Sequence, residues 1–385
     1  MDANRSVFYS ASLKNNFYKE TVLGLLAKAE VCINGLQPWD IQVHDEKFYP
    51  WIFRQGSLAF GESYMAGMWD CPALDQLMYR LFSANLDQYI PHSFKSLWYK
   101  IKTILWNGQS VKRAQQDIRK HYDLGNDLFE AILDKRMMYS CAYWQNAATL
   151  EEAQDHKLDL ICRKLQLEKG QKILDIGCGW GGFAAFAAER YGVEVVGITL
   201  SAEQVKLARE RCKHLPVEIR LQDYRSLDEK FDGIVSIGMF EHVGYKNYDY
   251  YMNVIQRTLK EDGLFLLHCI GSNSSVTAID PWINSHIFPN AVIPSVTQIG
   301  QAAEHKLVME DWHNFRVFYD LTLMEWLKRF RNAWPNLETK YDKQFYRMWE
   351  YYLSCSAASF RSNKNNLWQI VFSKPKRHTA YQSVR

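Results

Sequence analysis

An α/β fold built on a doubly wound, mostly parallel sheet with helices on both faces is what this 385-residue sequence predicts, with a small α-rich domain ahead of it. Three observations carry that expectation. Strand-like and helix-like runs alternate from Lys172 to about Ile270. The first of those strands, with Ile173, Leu174 and Ile176, runs directly into a glycine-rich turn in KILDIGCGWGG, residues 172–182. Residues 1–105 contain no turn of that type and show helical spacing instead.

At the N-terminal end, residues 14–30 place Phe17, Val22, Leu25, Leu26 and Ala29 close to helical spacing, and Asn34 and Gly35 break the pattern. A second helical pattern covers 74–86, and an aromatic, glycine-containing segment, 48–69, lies between them. A helical stretch at 149–167 leads into the first strand of the alternating region. There the strand-like runs are 172–176, 193–198, 217–221, 233–237 and 263–270, and the helical runs are 183–190, 201–213 and 248–260. Such alternation predicts a ligand at the carboxyl ends of parallel strands. After Ile270 the rhythm loosens around DPWINSHIFPN (280–290). A helical pair, 321–334 and 344–360, and a last strand, 367–372, follow. The basic tail (Lys374, Lys376, Arg377, Arg385) is expected to fray.

Composition bounds the function. With 47% hydrophobic and 23% charged residues the chain reads as soluble and globular. A net charge of +3 is too small to imply nucleic acid as a partner. Eight scattered cysteines with no C-x-x-C pair argue against a zinc site or a disulfide framework, so no metal is expected and a reducing cytoplasm is. MDANRSVFYS has no apolar signal core, and no apolar run approaches the ~18 residues of a membrane span.

One segment stands apart. Between Phe94 and Lys120, seven basic residues (Lys95, Lys100, Lys102, Lys112, Arg113, Arg119, Lys120) face one acid, Asp117. Phe94, Leu97, Trp98, Ile101, Leu105 and Trp106 recur among them at helical spacing. Such a helix suits an anionic membrane surface, and equally a linker with solvated lysines; the two are compatible. The expected domains are an N-terminal accessory domain at 1–105, a basic helical linker at 106–120 and a catalytic domain at 121–385.

Two cofactor classes compete for the glycine loop. A dinucleotide needs an acid about 20 residues on, at the tip of the second strand. Here VEVVGITLS ends that strand in Thr199 with no carboxylate. Asp175 sits two residues before Gly177, and Asp223 with Tyr224 follows the third strand in LQDYR. Acid, glycines, then a second acid beside an aromatic suits a compact adenosyl ligand, so a methyltransferase using S-adenosylmethionine is expected.

Ten blocks in one order, HYDLGNDLF, YSCAYW, LDIGCGWGG, GITLSAEQ, LQDYR, MFEHVG, LLHCIG, DPWINSHIFPN, EDWHNF and YDLTLMEW, resemble the bacterial cyclopropane-fatty-acyl-phospholipid synthases in their long form. The resemblance spans essentially the whole chain. It implies S-adenosylmethionine in the loop of Asp175, Gly177, Cys178, Gly179, Trp180 and Gly181, with Tyr139, Ser140, Thr199, Leu200, Gln204, Asp223 and Tyr224 around it. It also implies methylene transfer to a cis double bond of a phospholipid acyl chain, through a carbocation deprotonated by a bound bicarbonate ion. The matching cradle is Cys141, Glu241, His268, Tyr319 and the backbone at Ile270, with Cys141 a hydrogen-bond donor rather than a nucleophile. A homodimer in the cytoplasm, peripheral to the inner face of the membrane, is implied as well.

The chemistry requires alkene and methyl to be aligned, water excluded and a base nearby. Imidazole, phenol and thiol can donate to an oxyanion, and aromatic faces at Tyr139, Phe240 and Tyr319 can stabilise a cation. Trp282, Ile283, Ile287, Phe288 and Ile293 are the candidate wall of an apolar passage. Cys355 is offset by one from a cysteine that some relatives carry, and is expected to be core or a bystander; His242 and His313 are expected to be structural. A related enzyme making a methyl-branched lipid or methylating a small amine, and a non-catalytic binding protein on this fold, are the alternatives.

Overall fold

The computed structural model describes residues 16–86 and 125–385; the basic segment at 94–120 and His121–Leu124 of the first motif lie outside them. The described chain divides into two compact units. Residues 16–86, 280–289 and 331–364 form the first, and 125–279, 290–330 and 365–385 the second. That division differs from the contiguous boundaries expected from the sequence.

The first unit is α-rich. A helix over 16–28 ends where Glu30 takes a left-handed φ of 55°. Two short strands, β1 (Gln42–Val43) and β2 (Trp69–Asp70), pair antiparallel around the helices Phe48–Gln55 and Ser57–Met65. Leu74, Leu77 and Met78 form the buried stripe of the helix Leu74–Ser83. Side chains from distant sequence complete this unit. From the helix Lys343–Arg361, Arg361 pairs with Asp75 at 2.9 Å and Arg347 with Asp70 at 2.7 Å. Tyr64 donates its hydroxyl to Glu350 at 2.6 Å. Trp282, expected along an acyl passage, is instead core here: it is wholly buried, 4.5 Å from the Tyr351 ring, and a Cβ at Gly61 would strike its indole. This packing gives 280–289 and 331–364 to the first unit.

The second unit is a seven-stranded sheet in the order β5-β4-β3-β6-β7-β9-β8. Its strands are β3 (Lys172–Ile176), β4 (Glu194–Thr199), β5 (Val217–Leu221), β6 (Phe231–Ile237), β7 (Leu259–Gly271), β8 (Val308–Asn314) and β9 (Asn366–Ser373). The first five run parallel, and β9 lies antiparallel between β7 and β8. Successive strands run outward from β3 to β5, then resume at β6 on the other side of β3. That reversal opens a crevice at the carboxyl ends of β3 and β6.

Two features depart from expectation. β8 is a strand that the sequence pattern does not announce. It is an edge strand, and Asp311, buried on it, faces the buried Lys164 ammonium at 3.3 Å, so apolar alternation is lost. The tail is also tied down. Arg377 donates to the Asp262 carbonyl and the Gln166 side chain, and Arg385 places two nitrogens on Asp311, each at 2.7 Å.

Candidate active site

Between β3 and the helix Gly182–Tyr191 the chain turns through Gly177, Gly179 and Gly181, with φ of 82°, 53° and 80°. These are left-handed conformations that a Cβ makes costly. Gly182 serves differently from the turn glycine expected: a Cβ there would collide with the Arg136 carbonyl and the Met138 sulfur. The loop is anchored to the next strand, since the Gly177 and Cys178 amides both donate to the Ile198 carbonyl.

Around the loop lies a cleft of about 1100 Å³, part of it open to solvent. The cleft is lined by Tyr139, Ser140, Asp175, Gly177, Cys178, Gly179, Trp180, Thr199, Leu200, Gln204, Asp223 and Tyr224. Of the expected cofactor residues only Gly181 is outside the lining. Thr199 donates its hydroxyl to Gln204 at 2.7 Å, and Ser201 caps the helix Ala202–Cys212 that carries Gln204. Asp175 Oδ2 and Asp223 Oδ2 are buried with no hydrogen-bond partner. Burial pushes the Asp175 carboxyl up to about 7, against the pull of Lys157. Two acceptors in one cleft fit the ammonium and ribose hydroxyls of S-adenosylmethionine. His242, expected to be structural, borders this cleft too, and burial lowers its imidazole to about 4.

None of Cys141, Glu241, His268, Ile270 and Tyr319 lines that cleft. They form a separate set, of which Glu241, His268 and the Ile270 amide meet at the end of β7. Glu241 Oε1 accepts from the Ile270 amide at 2.6 Å, while Oε2 is buried without a partner. So the Ile270 amide orients Glu241. Burial raises the Glu241 carboxyl to about 7. His268 stands two residues before Ile270 on β7, and its Nδ1 faces the Gln369 amide nitrogen at 3.3 Å. With that amide as donor, the ring proton sits on Nε2, which is buried and unpartnered. Burial keeps this imidazole neutral, pushing it well below its usual value. Burial likewise raises the Cys141 thiol, which stays protonated and donates to the Ala142 carbonyl at 3.2 Å.

One segment, 137–144, runs from the cleft, at Tyr139 and Ser140, on to the buried Cys141. Two helices clamp it. From Arg316–Leu337, Thr322 accepts the Ala142 amide at 3.1 Å and the Trp144 indole at 2.9 Å. From Leu150–Lys164, Gln154 donates to the carbonyls of Met138 and Ser140, and Lys157 to the Ser140 hydroxyl. A run of rings bridges the same distance: Tyr319 meets Trp326 edge-on, Trp326 stacks on Tyr139 at 5.1 Å, and Phe129 touches both Tyr139 and Trp180.

Gln154 and Lys157 are functional candidates that the sequence reading passed over. The available signal was periodicity, because Lys157 falls midway between Ala153 and Ile161 on the apolar face of its helix. Cys355 is half-buried in the first unit, its thiol raised by burial. His313 faces the Lys164 ammonium at 3.2 Å and does not line the cleft.

A doubly wound sheet with a glycine loop after its first strand, and carboxylates on and after its first and third, defines an S-adenosylmethionine-dependent methyltransferase. Coclaurine N-methyltransferase, 20% identical, shares the fold at a TM-score of 0.67 over 82% of this chain and 99% of its own. Residues 109–370 match the family model for mycolic acid cyclopropane synthetase, and the chain belongs to that family. It is 53% identical to the cyclopropane-fatty-acyl-phospholipid synthase of Escherichia coli K12, over 91% of this chain and 92% of that one. Tuberculostearic acid methyltransferase UfaA1 of Mycobacterium tuberculosis is 34% identical over 83% of this chain and 79% of its own. Mycolic acid cyclopropane synthase CmaA1, solved with S-adenosylhomocysteine, is 30% identical at a TM-score of 0.63, covering 68% of this chain and 98% of that structure.

Proposed function

We propose that this enzyme transfers a methylene group from S-adenosylmethionine across a cis double bond of an unsaturated phospholipid acyl chain, giving a cyclopropane acyl chain and S-adenosylhomocysteine. The similarity to the E. coli synthase supports the substrate class. The carrying observation is the pair of buried, unpartnered polar atoms, Glu241 Oε2 and His268 Nε2, on elements that end beside the sheet's carboxyl edge. Bound bicarbonate would supply the base that removes the last proton.

The residues divide the work. Asp175 and Asp223 bind the donor, and the Gly177–Gly181 backbone lets it approach. His268 Nε2–H donates a hydrogen bond to an anion, the Cys141 thiol turns from the Ala142 carbonyl to add a second, and Glu241 Oε2 fixes the anion's hydroxyl. The aromatic run from Tyr319 to Trp180 tolerates positive charge, each well-placed face worth roughly 0.5–2 kcal/mol. Burial of the cluster excludes water, which would trap a cation as an alcohol.

A bilayer lipid must also be brought in. Drawing about eight or nine CH₂ groups into water costs roughly 7 kcal/mol at about 0.8 each. Among the described residues no helix is long and apolar enough to cross a membrane. Peripheral attachment at the inner face, through the basic aromatic segment 94–120 of a homodimer, is therefore part of the proposal.

Mass spectrometry of cis-unsaturated phospholipid vesicles incubated with enzyme and S-adenosylmethionine tests it. Products should gain one CH₂ per modified chain, and Glu241→Gln or bicarbonate depletion should cut the yield at least tenfold. Gain of CH₂ plus two hydrogens would instead support methyl branching, the reading that the similarity to UfaA1 favours. Full activity of Glu241→Gln without bicarbonate would remove the base assignment.

A further inference from the structure

Lys157 is wholly buried, and among the described residues its one hydrogen bond goes to a neutral group, the Ser140 hydroxyl at 2.9 Å. Asp134, whose negative charge acts on Lys157, is already engaged: its two oxygens accept the Met138 and Arg136 amides at 2.9 and 2.8 Å. Asp175 Oδ2 has no partner, and neither carboxylate forms an ion pair with Lys157 among the described residues. An ammonium kept in such a place is costly, and packing alone would be served as well by methionine. The helix Leu150–Lys164 fixes its position. A capping box at Thr149 and Glu152 starts that helix, and Gln154, three residues before Lys157, grips the carbonyls of Met138 and Ser140.

We propose that Lys157 is a positioning residue shared by two sites: its ammonium holds the Ser140 hydroxyl in the donor cleft and supplies the positive charge that balances an anion seated against Cys141 and His268. Ser140 lines the cleft, and Cys141 is the next residue along the same clamped segment. Burial lowers Lys157 to about 8, with Asp134, Cys141 and Asp175 pulling the other way, so much of it stays charged near neutral pH. The same charge reinforces burial in keeping His268 neutral. The anion half rests on the bicarbonate reading above; the donor half rests only on the cleft holding S-adenosylmethionine.

The two halves are read separately. Titration calorimetry with S-adenosylhomocysteine should show Lys157→Met and Ser140→Ala each weakening affinity five- to tenfold, with the double variant no weaker than either. The bicarbonate concentration for half-maximal rate should rise at least fivefold in Lys157→Met and stay put in Ser140→Ala. Unchanged S-adenosylhomocysteine affinity in Lys157→Met, or losses that add in the double variant, would overturn the inference. A parent enzyme indifferent to bicarbonate would remove the base reading, while the calorimetry still decides the role of Lys157 at Ser140. Should Lys157→Met fail to fold, Lys157→Arg keeps the charge and displaces the donors. Weakened S-adenosylhomocysteine affinity with normal bicarbonate saturation then supports the inference, and unchanged affinity sinks it.

Discussion

Glu241 places one carboxyl oxygen on the Ile270 amide and buries the other without a partner, an arrangement that folding alone does not favour. Its carboxyl is raised from 4.5 to about 7, so between those values the native state binds more protons than the unfolded chain. Stability is therefore lost as pH rises through that window and is level above it. Glu241→Gln keeps an acceptor for Ile270 and removes the charge. It should be more stable than the parent at pH 8 by up to about 3 kcal/mol, with the gap closing toward pH 4.5, as urea unfolding would measure. A less stable variant at pH 8 would contradict the burial argument. At this scale the sequence was informative about residue types and silent about partners. Asp175, Glu241 and His268 stand in motifs, whereas Gln369, which sets the His268 tautomer, reaches it only through the β7–β9 register. No local pattern encodes that pairing.

The glycine loop shows why elements, too, were unevenly legible. Alternating apolar runs placed β3 to β7 and their helices, because buried parallel strands must be apolar on both faces. β8 escaped because its buried side chain is a carboxylate, legible only once Lys164 and Arg385 are beside it. Within the loop, the reason for Gly182 is a neighbour 46 residues earlier: Arg136, whose side chain pairs with Asp155 at 2.9 Å and Glu189 at 3.1 Å and whose carbonyl cannot easily withdraw. Gly182→Ala should accordingly cost about 1–3 kcal/mol of stability and weaken S-adenosylhomocysteine binding. Thermal melts and calorimetry would read both; an alanine variant that melts and binds like the parent would mean the Arg136 segment yields freely.

At the scale of the molecule, sequence order and spatial order part company. Residues 280–289 and 331–364 leave the unit that precedes them in sequence and complete the first one, so the packing divides the chain otherwise than a contiguous boundary at residue 121 does. The tail matters in the same way. Arg385 is the second cation on Asp311, whose side chain is only 3% exposed. Deleting residues 383–385 should lower stability by about 1–2 kcal/mol, discounted because the Arg385 side chain is itself half exposed. Chemical denaturation would show it, and an unchanged midpoint would make the tail ornamental. β9 extends the theme. It follows every other described strand in the chain, yet among the described residues it alone joins β8 to β7. A chain emerging from the ribosome therefore finishes its donor loop long before its sheet, and for that interval the apolar edge from Leu264 to Ile270 is bare. Newly made protein should be most prone to mispairing, and most dependent on chaperones, in the moments before residues 366–373 arrive.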